Sequence, residues 1–174
     1  MRQAFSPRPR WLPGTVPSGR QRHQAGCRGL TLVELAIVVA MVVTLAGIGI
    51  PAYTNAREKA RNLRAMVDIR TLEKDIALYQ VDSGKLAGTL ADIGRENLRD
   101  PWGNPYEYLN FASAGKSWKG QARKDRFLVP LNSTYDLYSK GQDGKSQAPL
   151  TAKASRDDIV RANDGGYVGL ASDY

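Results

Sequence analysis

The fold turns on RGLTLVELAIVVAMVVTLAGIGIPAY, Arg28 to Tyr53. From Leu30 to Ile50 only Thr31, Glu34 and Thr44 interrupt the apolar run with polar side chains. As a helix rising 1.5 Å per residue it spans roughly 31 Å, close to the hydrocarbon thickness of a bilayer. A secretory signal would have a shorter apolar core followed by a small-residue cleavage site. Here the candidate cleavage point, between Gly29 and Leu30, precedes the run. Positive charge on its N-terminal flank places residues 1–29 in the cytoplasm and the remainder across the membrane.

The charge itself is uneven. The chain of 174 residues carries a formal +8. Arg2, Arg8, Arg10, Arg20, Arg22 and Arg28 stand in a head without acids, and the rest is nearly balanced, with 19 basic against 17 acidic side chains. No basic stripe with interleaved aromatics follows, so nucleic acid is not an expected partner. Cys27, the sole cysteine, excludes an intramolecular disulfide. The AGC at 25–27 would suit a lipid-modified cysteine only after an apolar stretch, and Gly19–Gln24 is polar and basic. The sole histidine, His23, lies in the same head. A His-based triad or zinc cluster would not survive its removal.

Beyond Pro51, which would bend the helix near Gly47–Pro51, apolar residues recur at three- and four-residue spacings: Leu63, Met66, Ile69, Leu72, Ile76 and Tyr79. Charged residues fill the intervals, the mark of an amphipathic helix with one apolar stripe. The pattern predicts one long helix over about 30–80, ended by VDSG at 81–84. LADIGRENL (90–98) suits a short helix or turn, and DPWGNPYEY (100–108) a turn-rich entry into a strand. RFLVPLN (126–132) and YDLYSKG (135–141) read as strands, and 110–125 as a solvent-facing loop. Short strands after one long helix predict an α+β domain, the helix stripe covering one face of a small antiparallel sheet. The organisation is then a basic leader (1–29), a membrane-spanning helix (30–50) and a globular domain (51–174).

A carboxylate inside an apolar span costs a few kcal/mol near the bilayer centre. Five residues from one end, Glu34 could simply reach the interface. A functional role requires a cation within the apolar layer. Cleavage after Gly29 would create one, the α-amine of Leu30, which could meet Glu34 of a neighbouring helix and set the axial register between packed subunits.

Arg28-Gly29-Leu30-Thr31-Leu32-Val33-Glu34-Leu35, the apolar run, Pro51 and Tyr53 together resemble the leader junction of type IV pilins and type II secretion pseudopilins. The resemblance implies cleavage after Gly29 by prepilin peptidase, methylation of the Leu30 amine, a pilin fold and assembly of copies into a helical filament. The first mature residue departs from the usual Phe. DPWGNPYEY followed by YDLYSKGQDG is similar to the major pseudopilin, the G subunit, whose C-terminal loops are pinned by calcium. That similarity makes Asp143, the Lys140 backbone carbonyl and Asp158 expected Ca²⁺ ligands, with Asp157 adjacent and Ser155 nearby. The residues also read more plainly as a DG turn and a local helix cap. KSQAPLTAKA (145–154) departs from the family, being longer and more basic than its glycine-rich acidic loop.

The implied function is that of a non-enzymatic subunit held in the inner membrane by Leu30–Ile50, its globular domain in the periplasm. The assembly platform would draw it into a periplasmic pseudopilus, in company with minor pseudopilins. Two alternatives stand beside it: a type IV pilin of a surface fibre for adhesion, motility or DNA uptake, and an unprocessed membrane-tethered periplasmic binding or sensor domain.

Overall fold

The computed structural model describes residues 29–174. The leader assigned to 1–29, with Cys27 and His23, lies outside the described residues except for Gly29. The chain divides into two compact units at Val43/Thr44. Within the described residues the first unit holds the start of the apolar run, whose side chains are exposed. The second holds the α+β domain.

Helix α1 runs Leu32–Ser83 and continues through Pro51 without interruption. Proline removes one backbone donor from such a helix. Its own carbonyl accepts the Thr54 hydroxyl at 3.0 Å. The helix ends where predicted: Gly84 adopts φ 70° and its N–H bonds the Gln80 carbonyl at 3.0 Å, a left-handed cap suited to glycine.

Four strands follow, β1 (Glu107–Asn110), β2 (Tyr135–Ser139), β3 (Ile159–Ala162) and β4 (Tyr167–Leu170). They form one antiparallel sheet in the order β1-β2-β3-β4. Glu107 pairs with Tyr138, Tyr138 with Val160, and Ile159 with Leu170. Side chains alternate between the faces of a strand. Tyr135, Leu137 and Ile159 accordingly join Ala65, Ile69, Leu72 and Ile76 of α1 in the main core, with Tyr106 and Leu90. Val160 and Ala162 point the other way, into a second cluster with Leu131, Leu150 and Ala171.

The expected α+β arrangement is therefore present, with local corrections. Leu63 is 62% exposed, and Ala65 takes its place in the buried stripe. RFLVPLN is not a strand. Asp125 and Leu128 exchange backbone hydrogen bonds around a tight turn that leaves Phe127 fully exposed. The run has no apolar–polar alternation and contains Pro130, which cannot donate to a ladder. Segment 110–125 is more ordered than a solvent-facing loop. Phe111 stacks on Trp118 at 4.5 Å, short helical turns occupy Gly115–Ser117 and Trp118–Gln121 (α2), and Ala122 and Arg123 are buried.

Leu72→Ala is expected to lower unfolding stability by about 2–5 kcal/mol, and Leu63→Ala by no more than about 0.5 kcal/mol. Denaturant titration of the two full-length variants in detergent checks the contrast.

Candidate functional site

Two groups of residues carry the functional expectations, one at the start of α1 and one among the C-terminal loops. Gly29 and Leu30 are exposed just before the helix, Leu30 at 75%. Thr31 is the residue before the first helical turn, and its hydroxyl accepts the Glu34 N–H at 3.2 Å. The Glu34 carboxylate reaches back to the Thr31 N–H and hydroxyl, each at 3.4 Å. This reciprocal pairing is a capping box, and its T-x-x-E signature was readable in the sequence. An acid in the first turn also suits the positive end of the helix dipole.

In the C-terminal half, the two blocks DPWGNPYEY and YDLYSKGQDG fold into one hydrogen-bonded unit. Asp100, nearly buried, accepts the N–H groups of Trp102 (3.0 Å) and Asn104 (2.7 Å) and the Ser139 hydroxyl (2.5 Å). Asn104 in turn donates its side-chain amide to the Gly141 carbonyl at 2.8 Å. Gly141 has φ 62°, and a Cβ there would collide with the Asp157 backbone carbonyl. Both facts require glycine. The unit is fastened to α1 by Trp102, whose indole N–H donates to Glu58 at 3.2 Å. Tyr106 adds a second tie, its hydroxyl donating to Asp68 at 2.9 Å. Burial and the neighbouring Asp68 push the Tyr106 hydroxyl well above the usual phenol range.

Of the expected cation ligands, Asp143 and Asp157 meet directly. The Asp157 carboxylate accepts the Asp143 N–H at 2.9 Å. Asp143 accepts the Lys145 N–H at 2.7 Å, closing its own exposed turn. Lys140 precedes Gly141, and its side chain pairs with Glu107 at 2.5 Å, which raises the lysine pKa. Asp158 is not with them. It is fully buried and bonded to the guanidinium of Arg123, itself only 3% exposed, and it accepts the Ser146 hydroxyl at 2.6 Å. Burial pushes the Asp158 carboxyl up to about 6, against the pull of Ser146 and Arg123.

The expected carboxylates are divided between two settings, Asp143 bonding Asp157 in an exposed turn and Asp158 facing Arg123 in the interior. Calcium takes six to eight oxygens. Among the described residues no group of three Asp, Glu, His or Cys side chains is placed to hold a metal. The most buried of the expected carboxylates already faces a cation. Sequence reasoning missed Arg123 because its segment was read as a surface loop.

No family model matches the chain, and no solved structure does. Similarity to curated proteins is extensive. Type II secretion system core protein G of Pectobacterium carotovorum subsp. carotovorum is 26% identical over 157 residues, covering 71% of this chain and 89% of that protein. The proteins of that name from Vibrio cholerae serotype O1 (27%, covering 67% and 82%) and Dickeya chrysanthemi (29%, covering 79% and 88%) match similarly. Over most of its length the chain is thus similar to the major pseudopilin of type II secretion.

Asp100→Ala removes three bonds to one buried carboxylate and is expected to cost at least about 2 kcal/mol of stability. Asp143→Ala, which loses only an exposed turn contact, should cost under about 1 kcal/mol. Thermal unfolding of the two variants side by side tests this.

Proposed function

We propose that this chain is the structural subunit of a type II secretion pseudopilus, polymerising to drive protein export across the outer membrane. The observation that carries the reading is how far the likeness to core protein G extends. The residues up to the end of the apolar run make up under a third of the chain, so coverage of 71% must reach deep into the globular domain. That domain is where a G subunit and a surface-fibre pilin would differ.

On this reading the leader stays cytoplasmic, prepilin peptidase cuts between Gly29 and Leu30 and methylates the new amine, and Leu30–Ile50 holds the subunit in the inner membrane. The globular domain lies in the periplasm, where the assembly platform draws the subunit into the filament alongside minor pseudopilins. The chain is the peptidase's substrate and a building block, not an enzyme. Exposed side chains along the apolar run, Leu35, Val38, Val42 and Leu45 among them, support this. Lipid covers such a surface before assembly and neighbouring helices cover it afterwards, so it never has to face water.

Glu34 supplies the register. Its capping bonds to Thr31 are long, and a protonated α-amine from a neighbouring Leu30 is a stronger, charge-assisted donor. Glu34→Ala is expected to leave the subunit membrane-inserted and cleaved while filament yield falls at least about tenfold. Shear fractions and immunoblots of the same cells read both quantities. Normal filament yield would remove the register role from Glu34.

Deleting the gene tests the function as a whole. Loss of secreted proteins with surface fibres intact is the expected result. Loss of fibres with secretion intact would make the chain a type IV pilin. A leader still attached to protein recovered from cells would favour a tethered periplasmic domain.

A further inference from the structure

Two loops of the C-terminal half meet at one side chain. Arg123 stands near the end of segment 110–125, and loop 145–154 is the basic stretch that departs from the pattern of the resembling family. The structure joins the two. Arg123 donates through Nη1 to the Ser146 hydroxyl and the Gln147 carbonyl, each at 2.5 Å, and through Nη2 to Asp158. Gln147 is then tied to Ser155, whose hydroxyl donates to its carbonyl at 2.8 Å and accepts its N–H at 2.9 Å. Backbone bonds continue the seam, from Lys124 N–H to Ala148 and from Leu150 N–H to Lys124. Below the guanidinium lies the Tyr138 ring, 4.3 Å from Cζ to the centroid. One planar cation thus gathers the 122–125 segment, the 145–150 loop and the β3 approach at Asp158.

We propose that the Arg123 guanidinium is a built-in cation that does in this chain what calcium does in the G subunits it resembles, pinning the C-terminal loops so that the fold needs no divalent ion. Three observations support it. The Asp158 carboxylate is fully buried against Arg123 and Ser146, while Asp143 bonds Asp157 from an exposed turn. Its remaining oxygen, Oδ1, is buried without a hydrogen-bond partner among the described residues, as is Arg123 Nε. A divalent ion at that oxygen would sit beside a fixed positive charge, which opposes its binding. Finally, guanidinium is the side-chain cation suited to a dry, forked site, because it is weakly hydrated, always charged and offers several donors in one plane.

The inference is tested on the full processed chain in detergent, by thermal unfolding followed with circular dichroism in EGTA and in about 10 mM calcium. A loop site of the extracellular kind would be saturated at that concentration and would raise the midpoint by several degrees. The expected result is a midpoint that moves by less than about 1 °C. A saturable calcium-dependent rise in the unmodified chain overturns the proposal, and this arm needs no variant to fold. In the second arm, Arg123→Lys keeps the charge but loses the fork, and Arg123→Met loses both. Midpoints should fall in the order wild type, lysine, methionine, with calcium restoring neither. A methionine variant as stable as wild type, or a variant rescued by calcium to the wild-type midpoint, would overturn it as well. Secretion enters neither arm, so the outcome is separate from that of the pseudopilus reading.

Discussion

The contact on which the rest of the domain depends is the one between the stripe Ala65, Ile69, Leu72 and Ile76 and the face of the sheet formed by Tyr135, Leu137 and Ile159. A four-stranded sheet of strands only four or five residues long needs an apolar face packed against something to be stable. α1 supplies the missing apolar surface and, being one continuous helix, fixes where the sheet stands on it. A one-residue slip of β3 would turn Ile159 out of the core and present Val160 in its place, so the stripe also sets the register. Polar ties lie at the margins of this contact. Arg161, on the helix side of β3, bonds Glu73 of α1 at 2.6 Å and lies 4.1 Å from the Tyr135 ring.

Covering one face leaves the other to be solved differently. Among the described residues no second long helix exists to lie under Val160 and Ala162, so loops must do it, and loops carry backbone groups that need partners when buried. That requirement explains the density of side-chain bonds on this side. Asp136 accepts the Arg123 N–H at 2.6 Å and the Asn132 amide at 2.8 Å, while burial raises its pKa against those bonds. The two faces mirror each other in one respect: each holds a buried arginine above a β2 tyrosine, Arg161 over Tyr135 and Arg123 over Tyr138. A buried ion pair adds little stability compared with an apolar replacement, but losing one partner of it is costly. Such a pair suits a place where geometry must be unique rather than merely compact.

What the sequence disclosed follows from how local each signal is. The apolar run, the stripe and the VDSG stop are periodic or steric, written within a few residues, and α1 was legible almost to its ends. Tyr135–Ser139 alternates and was legible as well. The 126–132 run misled because apolar content without alternation says nothing about pairing partners, and Phe127 is exposed on a turn held by two backbone bonds. Arg123 was invisible for a deeper reason. Its neighbours, Ser146 and Asp158, are 23 and 35 residues away, and an arginine in a basic, glycine-containing segment has the appearance of a solvated charge. The resemblance named calcium ligands among these loops and gave no sign of Arg123, which meets Asp158 only through the fold.

On the proposed reading, Glu34 serves two states of a subunit. Alone in the bilayer, a carboxylate within the apolar run needs donors, and the capping box gives it two at 3.4 Å, from Thr31. Those bonds are at the long end of the hydrogen-bonding range and involve neutral donors, so they contribute little. They make the lone subunit tolerable without making it the best available state. On the proposed reading, cleavage then places an ammonium group at Leu30, which raises the strength of the bond a neighbour can offer. The exchange of Thr31 for that amine is favourable only when the two helices are offset so that the groups meet. On that reading a weak internal contact is the suitable one: a stronger cap would compete with the neighbour's amine, and no cap at all would leave the carboxylate of the lone subunit unsatisfied.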